Sequence, residues 1–157
     1  MSFEFSQEVK QEADAIIARY PLNEGAMLPI LHLVQRECGY ISTEAMRYVA
    51  QLLEVSPAKV MGVVSFYPMF HTEPVGRHLI YVCSTLSCAL VGAERVVDHL
   101  KERLGIGVGE TTKDGKFTLL KAECLASCGT SPVMIMDDEL YENLTPEKID
   151  RILKNLP

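Results

Sequence analysis

An α/β domain preceded by a small helical bundle is the fold class this sequence predicts, and three observations predict it. Through residues 1–74 apolar side chains recur at helical spacing. A turn-rich stretch, His71-Thr72-Glu73-Pro74-Val75-Gly76, then marks a boundary. Beyond it, over residues 75–157, short apolar strands are interleaved with helices. The chain of 157 residues has room for one domain or two small lobes, and 48% hydrophobic against 23% charged residues is a globular composition.

The elements follow in order. Ser6 is placed to cap a first helix whose Val9, Ala13, Ile16, Ile17 and Tyr20 share a face until Pro21 ends the run. A second helix begins near Met27, tolerates Pro29 in its first turn, buries Ile30, Leu31, Leu33 and Val34, and stops at Gly39. Ser42 caps a third, with Ala45, Met46, Val49, Leu52 and Leu53 on its apolar face, and Ser56-Pro57 opens a fourth through Val60, Met61, Val63 and Val64. Four short helices with brief connections make an antiparallel bundle. The second part reads as a strand over residues 79–82 and a helix over about 89–104. A turn at Asp114-Gly115 and a strand over 117–122 follow. A strand over 132–136 turns at Asp137-Asp138 into a short Leu140-Tyr141 strand, and Thr145-Pro146 starts a last helix with Ile149, Ile152, Leu153 and Leu156. That order is an α/β sandwich of thioredoxin-like type.

Charge excludes some functions. Lys and Arg total 15 against 21 Asp and Glu, a net charge of −6, and neither half carries a basic excess. Nucleic-acid binding is not expected, and an anionic membrane surface would repel the chain. The N-terminus lacks the cationic region and apolar run of a secretory signal. The longest stretch without charge or His, residues 79–93, holds four hydroxyl side chains and is shorter than the roughly 18 apolar residues of a bilayer span. The expected place is the cytoplasm, or the cytoplasmic side of something larger, with no direct membrane insertion. There, five cysteines point to metal ligands or reactive thiols rather than disulfides.

Four of the cysteines form two pairs, Cys83-Ser84-Thr85-Leu86-Ser87-Cys88 and Cys124-Leu125-Ala126-Ser127-Cys128, separated by 35 residues. Each pair follows a predicted strand, so both sit on loops at one edge of the sheet and can converge. Four thiolates around two irons are the usual ligands of a [2Fe–2S] cluster, although the spacing is not the plant-type C-x4-C-x2-C…C. Such a cluster carries a charge of about −2, or about −3 after one electron, and needs donors around it. Ser84, Thr85, Ser87, Ser127, Thr130 and Ser131 supply hydroxyls, the start of a helix at Cys88 favours a thiolate, and Gly129 permits close backbone approach. Three other readings stay open. A structural zinc site also takes four cysteines at permissive spacing. A dithiol–disulfide enzyme would want C-x-x-C, and unligated cysteines would be plain packing.

Other candidates have simpler readings. Cys38, alone at a helix end, packs as a small hydrophobe. His32, His71, His78 and His99 have no ligand spacing with the cysteines. Gly105-Ile106-Gly107-Val108-Gly109 follows a helix instead of linking a strand to one, so it reads as a C-cap and loop, not a dinucleotide fingerprint. Residues 63–70, with Phe66, Tyr67, Met69 and Phe70, read as core joining two lobes, with a partner-facing patch as the alternative.

Taken with their neighbours, these motifs resemble a known family. Cys83-x4-Cys88 and Glu123-Cys124-x3-Cys128 with Pro132 are similar to the thioredoxin-like [2Fe–2S] subunit of bacterial respiratory complex I, the NADH:quinone oxidoreductase. Leu31-His32-Leu33-Val34-Gln35-Arg36-Glu37-Cys38-Gly39-Tyr40-Ile41, Val60-Met61-Gly62-Val63-Val64-Ser65-Phe66-Tyr67-Pro68-Met69-Phe70 and Gly109-Glu110-Thr111-Thr112-Lys113-Asp114-Gly115 resemble it as well, so the likeness spans roughly residues 10–155. The resemblance implies one [2Fe–2S] cluster on Cys83, Cys88, Cys124 and Cys128. It also implies a flavoprotein partner carrying FMN and binding NADH, neither of which this chain binds. The chain is then an electron-transfer subunit of an oxidoreductase, without catalytic residues or a complete active site of its own, peripheral on the cytoplasmic side of the inner membrane. We expect Cys83 and Cys88 to share one iron and Cys124 and Cys128 the other. Leu86-Ser87 and Ala126 depart from the Thr-Pro and Gly common at those places. The same subunit type resembles parts of NAD-reducing hydrogenases and formate dehydrogenases, and a four-cysteine zinc-stabilised interaction module is the remaining alternative.

Overall fold

The computed structural model describes residues 3–156. Two compact units divide the chain, Met1–Pro74 and Val75–Pro157.

The first unit is helical. Helix α1 (Gln7–Ile17) begins at Ser6, whose hydroxyl accepts from Val9 N at 3.3 Å. It stops three residues short of Tyr20, which lies in a turn. A single 3-10 turn, Asn23–Ala26, leads into α2 (Met27–Cys38), which Gly39 closes in the left-handed region at φ 78°. Ser42 caps α3 (Thr43–Leu52) through Ala45 N at 3.1 Å, and Ser56 with Pro57 opens α4 (Pro57–Phe66). The apolar faces meet in a core of Ala13, Ile30, Leu31, Val34, Ile41, Val49, Leu53, Val60 and Val64. Arg36 of α2 clamps Glu12 of α1 through two hydrogen bonds of 3.0 and 2.7 Å. The Gln35 side chain donates to Met69 O and accepts from His71 N, fixing the segment after α4. The 63–70 stretch therefore divides: Val64 and Phe70 are buried in this unit's core, while Phe66 is exposed.

The second unit is a four-stranded sheet in the order β2-β1-β3-β4. Strand β1 (His78–Cys83) pairs in parallel with β2 (Phe117–Ala122), from His78 opposite Phe117 to Cys83 opposite Ala122. Strands β3 (Met134–Met136) and β4 (Glu139–Tyr141) continue the sheet antiparallel. Ile80 and Val82 of β1, Leu119 of β2, and Met134 and Met136 of β3 share a face and form one core with Leu100 and Ile149. Those last two belong to helices α6 (Ala93–Leu104) and α7 (Pro146–Lys154), which cover that face. Asp137 and Asp138 turn β3 into β4 with φ of 52° and 69°, a primed turn that Asp tolerates. The Asp137 carboxylate accepts from His78 Nδ1 at 2.5 Å and Leu79 N at 3.2 Å, fastening the turn to β1.

Two expectations need correction. The helix over 89–104 is two helices, α5 (Leu86–Leu90) and α6, because Gly92 takes φ 105° between them. The third strand begins at Met134 instead of 132, since Pro132 has no N–H for a ladder. No helix among the described residues is long and apolar enough to cross a membrane.

Asp150 of α7 joins the last two helices by accepting from Arg103 and His99 of α6. The Arg103 guanidinium, with His99, holds its carboxyl down at about 2, against 3.8 for a free Asp. A depressed folded pKa stabilises above the unfolded value, so this contact contributes fully above about pH 4 and is lost toward pH 2. Asp150→Asn is expected to lower the thermal midpoint at pH 7 and to match the parent chain near pH 2; equal midpoints at pH 7 would discount the contact.

Candidate metal centre

Parallel pairing of β1 and β2 brings their C-terminal ends side by side, with Cys83 opposite Ala122. Ser84 fastens the two exits together: its N–H and its hydroxyl both donate to Ala122 O, at 2.9 and 3.0 Å. The Cys83 sulfur lies 3.9 Å from Glu123 O and 3.8 Å from Thr85 Oγ1. The loop leaving β2 thus runs against the first cysteine.

The second half of each loop meets in the same way. Cys88, inside α5, places its thiol 3.3 Å from Ser131 Oγ, and that hydroxyl donates to Cys128 O at 2.9 Å. Cys124 Sγ accepts from Ala126 N at 3.4 Å. Ala126 holds φ 56°, a left-handed conformation that glycine adopts without steric cost and alanine at roughly 1 kcal/mol. Cys83 and Cys88 are buried, whereas Cys124 and Cys128 are exposed, and none of these is in a disulfide. Burial alone would push the Cys83 thiol up; the N–H groups of Leu125 and Thr85, with the Cys88 and Thr85 side chains, outweigh it and bring it below the ordinary cysteine value.

The two loops are tied together at two points, Cys83 against the Glu123 carbonyl and Cys88 through Ser131 to the Cys128 carbonyl. Among the described residues no three His, Cys, Asp or Glu side chains converge as a single metal ion would need. A two-iron cluster asks less of each point, because its four thiolates are shared between two metals. The donor set, two loops of cysteine with N–H and hydroxyl groups aimed at sulfur, fits such a group.

The hydroxyls do not all serve sulfur as expected. Thr85 and Ser131 face it, but Ser84 is bound to Ala122 O. Ser127 and Thr130 instead donate to Glu142 Oε1, at 2.7 and 2.5 Å, which holds that carboxyl below its usual range. Cys88 is the third residue of a five-residue helix, so no long helix dipole points at it. Gly129 has no protein atom beyond its chain neighbours within 4 Å of where a Cβ would stand. Cys38 is exposed at the end of α2, not buried as its isolation suggested. Gly105 does cap α6, at φ 67°. Glu142 had no sequence signal, standing 14 residues beyond Cys128 and outside any motif.

Ser131 gives a specific expectation. Its hydroxyl can turn from Cys128 O to a Cys88 thiolate, where a donor stabilises the added electron. If these cysteines hold a [2Fe–2S] cluster, Ser131→Ala should retain its iron and titrate at a more negative potential; an unchanged potential would remove Ser131 from the donor set.

Known proteins resemble this chain over most of its length. A family model described as thioredoxin-like [2Fe-2S] ferredoxin matches residues 13–157. The chain is 41% identical over 145 residues to an NADH-quinone oxidoreductase subunit of Mycobacterium tuberculosis, covering 92% of this chain and 58% of that protein. It is 42% identical over 157 residues to NADH-quinone oxidoreductase subunit 2 of Thermus thermophilus, covering 98% and 85%. To an NADH-quinone oxidoreductase subunit of Rhizobium meliloti it is 40% identical over 147 residues, covering 94% and 88%. The chain therefore spans little more than half the length of the mycobacterial relatives. Among solved structures, the air-oxidised NAD+-reducing [NiFe]-hydrogenase aligns with a TM-score of 0.72 over 82% of this chain and 22% of that one, at 20% identity. That likeness is one of fold.

Proposed function

The chain belongs to the thioredoxin-like [2Fe–2S] ferredoxin family, and on that premise we propose that it is the small electron-transfer subunit of an NADH:quinone oxidoreductase. Cys83, Cys88, Cys124 and Cys128 hold one [2Fe–2S] cluster. Its partner is a flavoprotein subunit that binds NADH and carries FMN, and the assembly places the chain on the cytoplasmic side of the inner membrane. The observation that carries this reading is the convergence of the two cysteine loops: Cys83 against Glu123, and Cys88 against the Ser131 that bonds Cys128. Identity near 40% over nearly the whole chain to several NADH-quinone oxidoreductase subunits favours that enzyme over a hydrogenase, whose likeness is of fold alone.

When bound, such a cluster accepts and releases one electron at a time. The chain's residues do the rest. Four thiolates fix the site with little movement, Leu125 N–H and the Thr85 N–H and hydroxyl offset charge on sulfur, and Cys83 and Cys88 are shielded from water. Exposed Cys124 and Cys128 leave one side open to a redox partner. The adjacency of the Cys83 and Cys88 side chains supports their sharing one iron.

The test is anaerobic purification with metal analysis, followed by co-purification. About two irons per chain, visible absorption, a paramagnetic signal only after reduction, and a co-purifying flavoprotein are expected. About one zinc and no iron would overturn the reading in favour of a structural metal site.

A further inference from the structure

We propose that Glu142 is a positioning residue for the cluster site: it closes the Cys124–Cys128 loop and keeps the reduction potential low. This rests on the cluster reading above. Glu142 directly follows β4 and meets the loop from the far side of the β3–β4 hairpin. One carboxylate oxygen, Oε1, accepts from both Ser127 Oγ and Thr130 Oγ1, at 2.7 and 2.5 Å. The backbone beside it repeats the join, with Asn143 N donating to Thr130 O at 2.7 Å and Leu144 N to Pro132 O at 3.0 Å. Lys148 of α7 donates to Glu142 O at 2.5 Å, so the residue is anchored on its own side too.

Two consequences follow for the adjoining Cys128. A hydroxyl has a single proton to give, so Ser127 and Thr130, both committed to Glu142, have none for sulfur. Donors to sulfur stabilise the more negative, reduced form, and withholding them lowers the potential. The carboxylate also places a fixed negative charge behind the loop, which disfavours an added electron. Both act in one direction. The Thr85 hydroxyl, 3.8 Å from the Cys83 sulfur, remains free to act in the other.

Glu142→Gln separates charge from shape, because the amide oxygen still accepts the two hydroxyls. Glu142→Ala removes both. Full-length parent and variant chains, made anaerobically and shown to hold iron, are titrated by absorbance and by the reduced paramagnetic signal. At a fixed poise, Glu142→Gln is expected to raise the ratio of reduced to oxidised cluster about tenfold, ~59 mV for one electron, and Glu142→Ala at least as far. Should Glu142→Ala shed its iron, Glu142→Gln alone decides. An unchanged ratio in Glu142→Gln, or loss of iron from it, overturns the proposal. Absence of iron from the parent chain would instead overturn the cluster reading on which it rests.

Discussion

Cys88→Ala is expected to yield a folded chain with almost no iron, down from about two atoms per chain. The thiol is buried, 2% exposed, and beside it lie the Cys83 side chain and the Ser131 hydroxyl. Alanine occupies the position without offering a ligand. The expected record is a colourless protein with no signal on reduction, and with the circular dichroism of the parent chain. Iron retained at half the parent level or more would show that Cys88 is not a ligand.

Ile80→Ala carries the largest expected loss of stability, ~2–5 kcal/mol. Ile80 is fully buried at the centre of β1, opposite Leu119 on one side and Met136 on the other. The substitution leaves a cavity beneath the helix-covered face, and the strand that delivers Cys83 depends on that packing. Denaturant unfolding followed through the second unit is the measure, with Val108→Ala, at a 40% exposed position, as a control expected to stay within about 0.5 kcal/mol. A loss at Ile80 of under about 1 kcal/mol would show that the core does not close around β1.

Local chemistry makes much of this fold legible. Ser6, Ser42, Ser56 and Thr145 cap the helices their positions predict, because a cap is decided by a side chain and an N–H three residues on. The strands before both cysteine pairs are readable from short apolar runs, and parallel pairing of those strands is enough to bring the loops together. What escapes the sequence depends on distant partners. Ser127 and Thr130 read as donors to sulfur, but their choice is settled by Glu142, which only the β3–β4 hairpin returns to them. Gly92 is hidden in a helical pattern, and its left-handed backbone splits that helix beside Cys88. Cys38 shows the opposite error: cysteines are most often buried, but this one ends a helix whose apolar stripe lies on another face.

The uneven exposure of the four cysteines gives the site a front and a back. On the proposed cluster, oxygen, chelators and any donor of iron and sulfide would reach exposed Cys124 and Cys128 before buried Cys83 and Cys88. Assembly and decay would then share a doorway, and a protein seated over it would guard the finished centre from both.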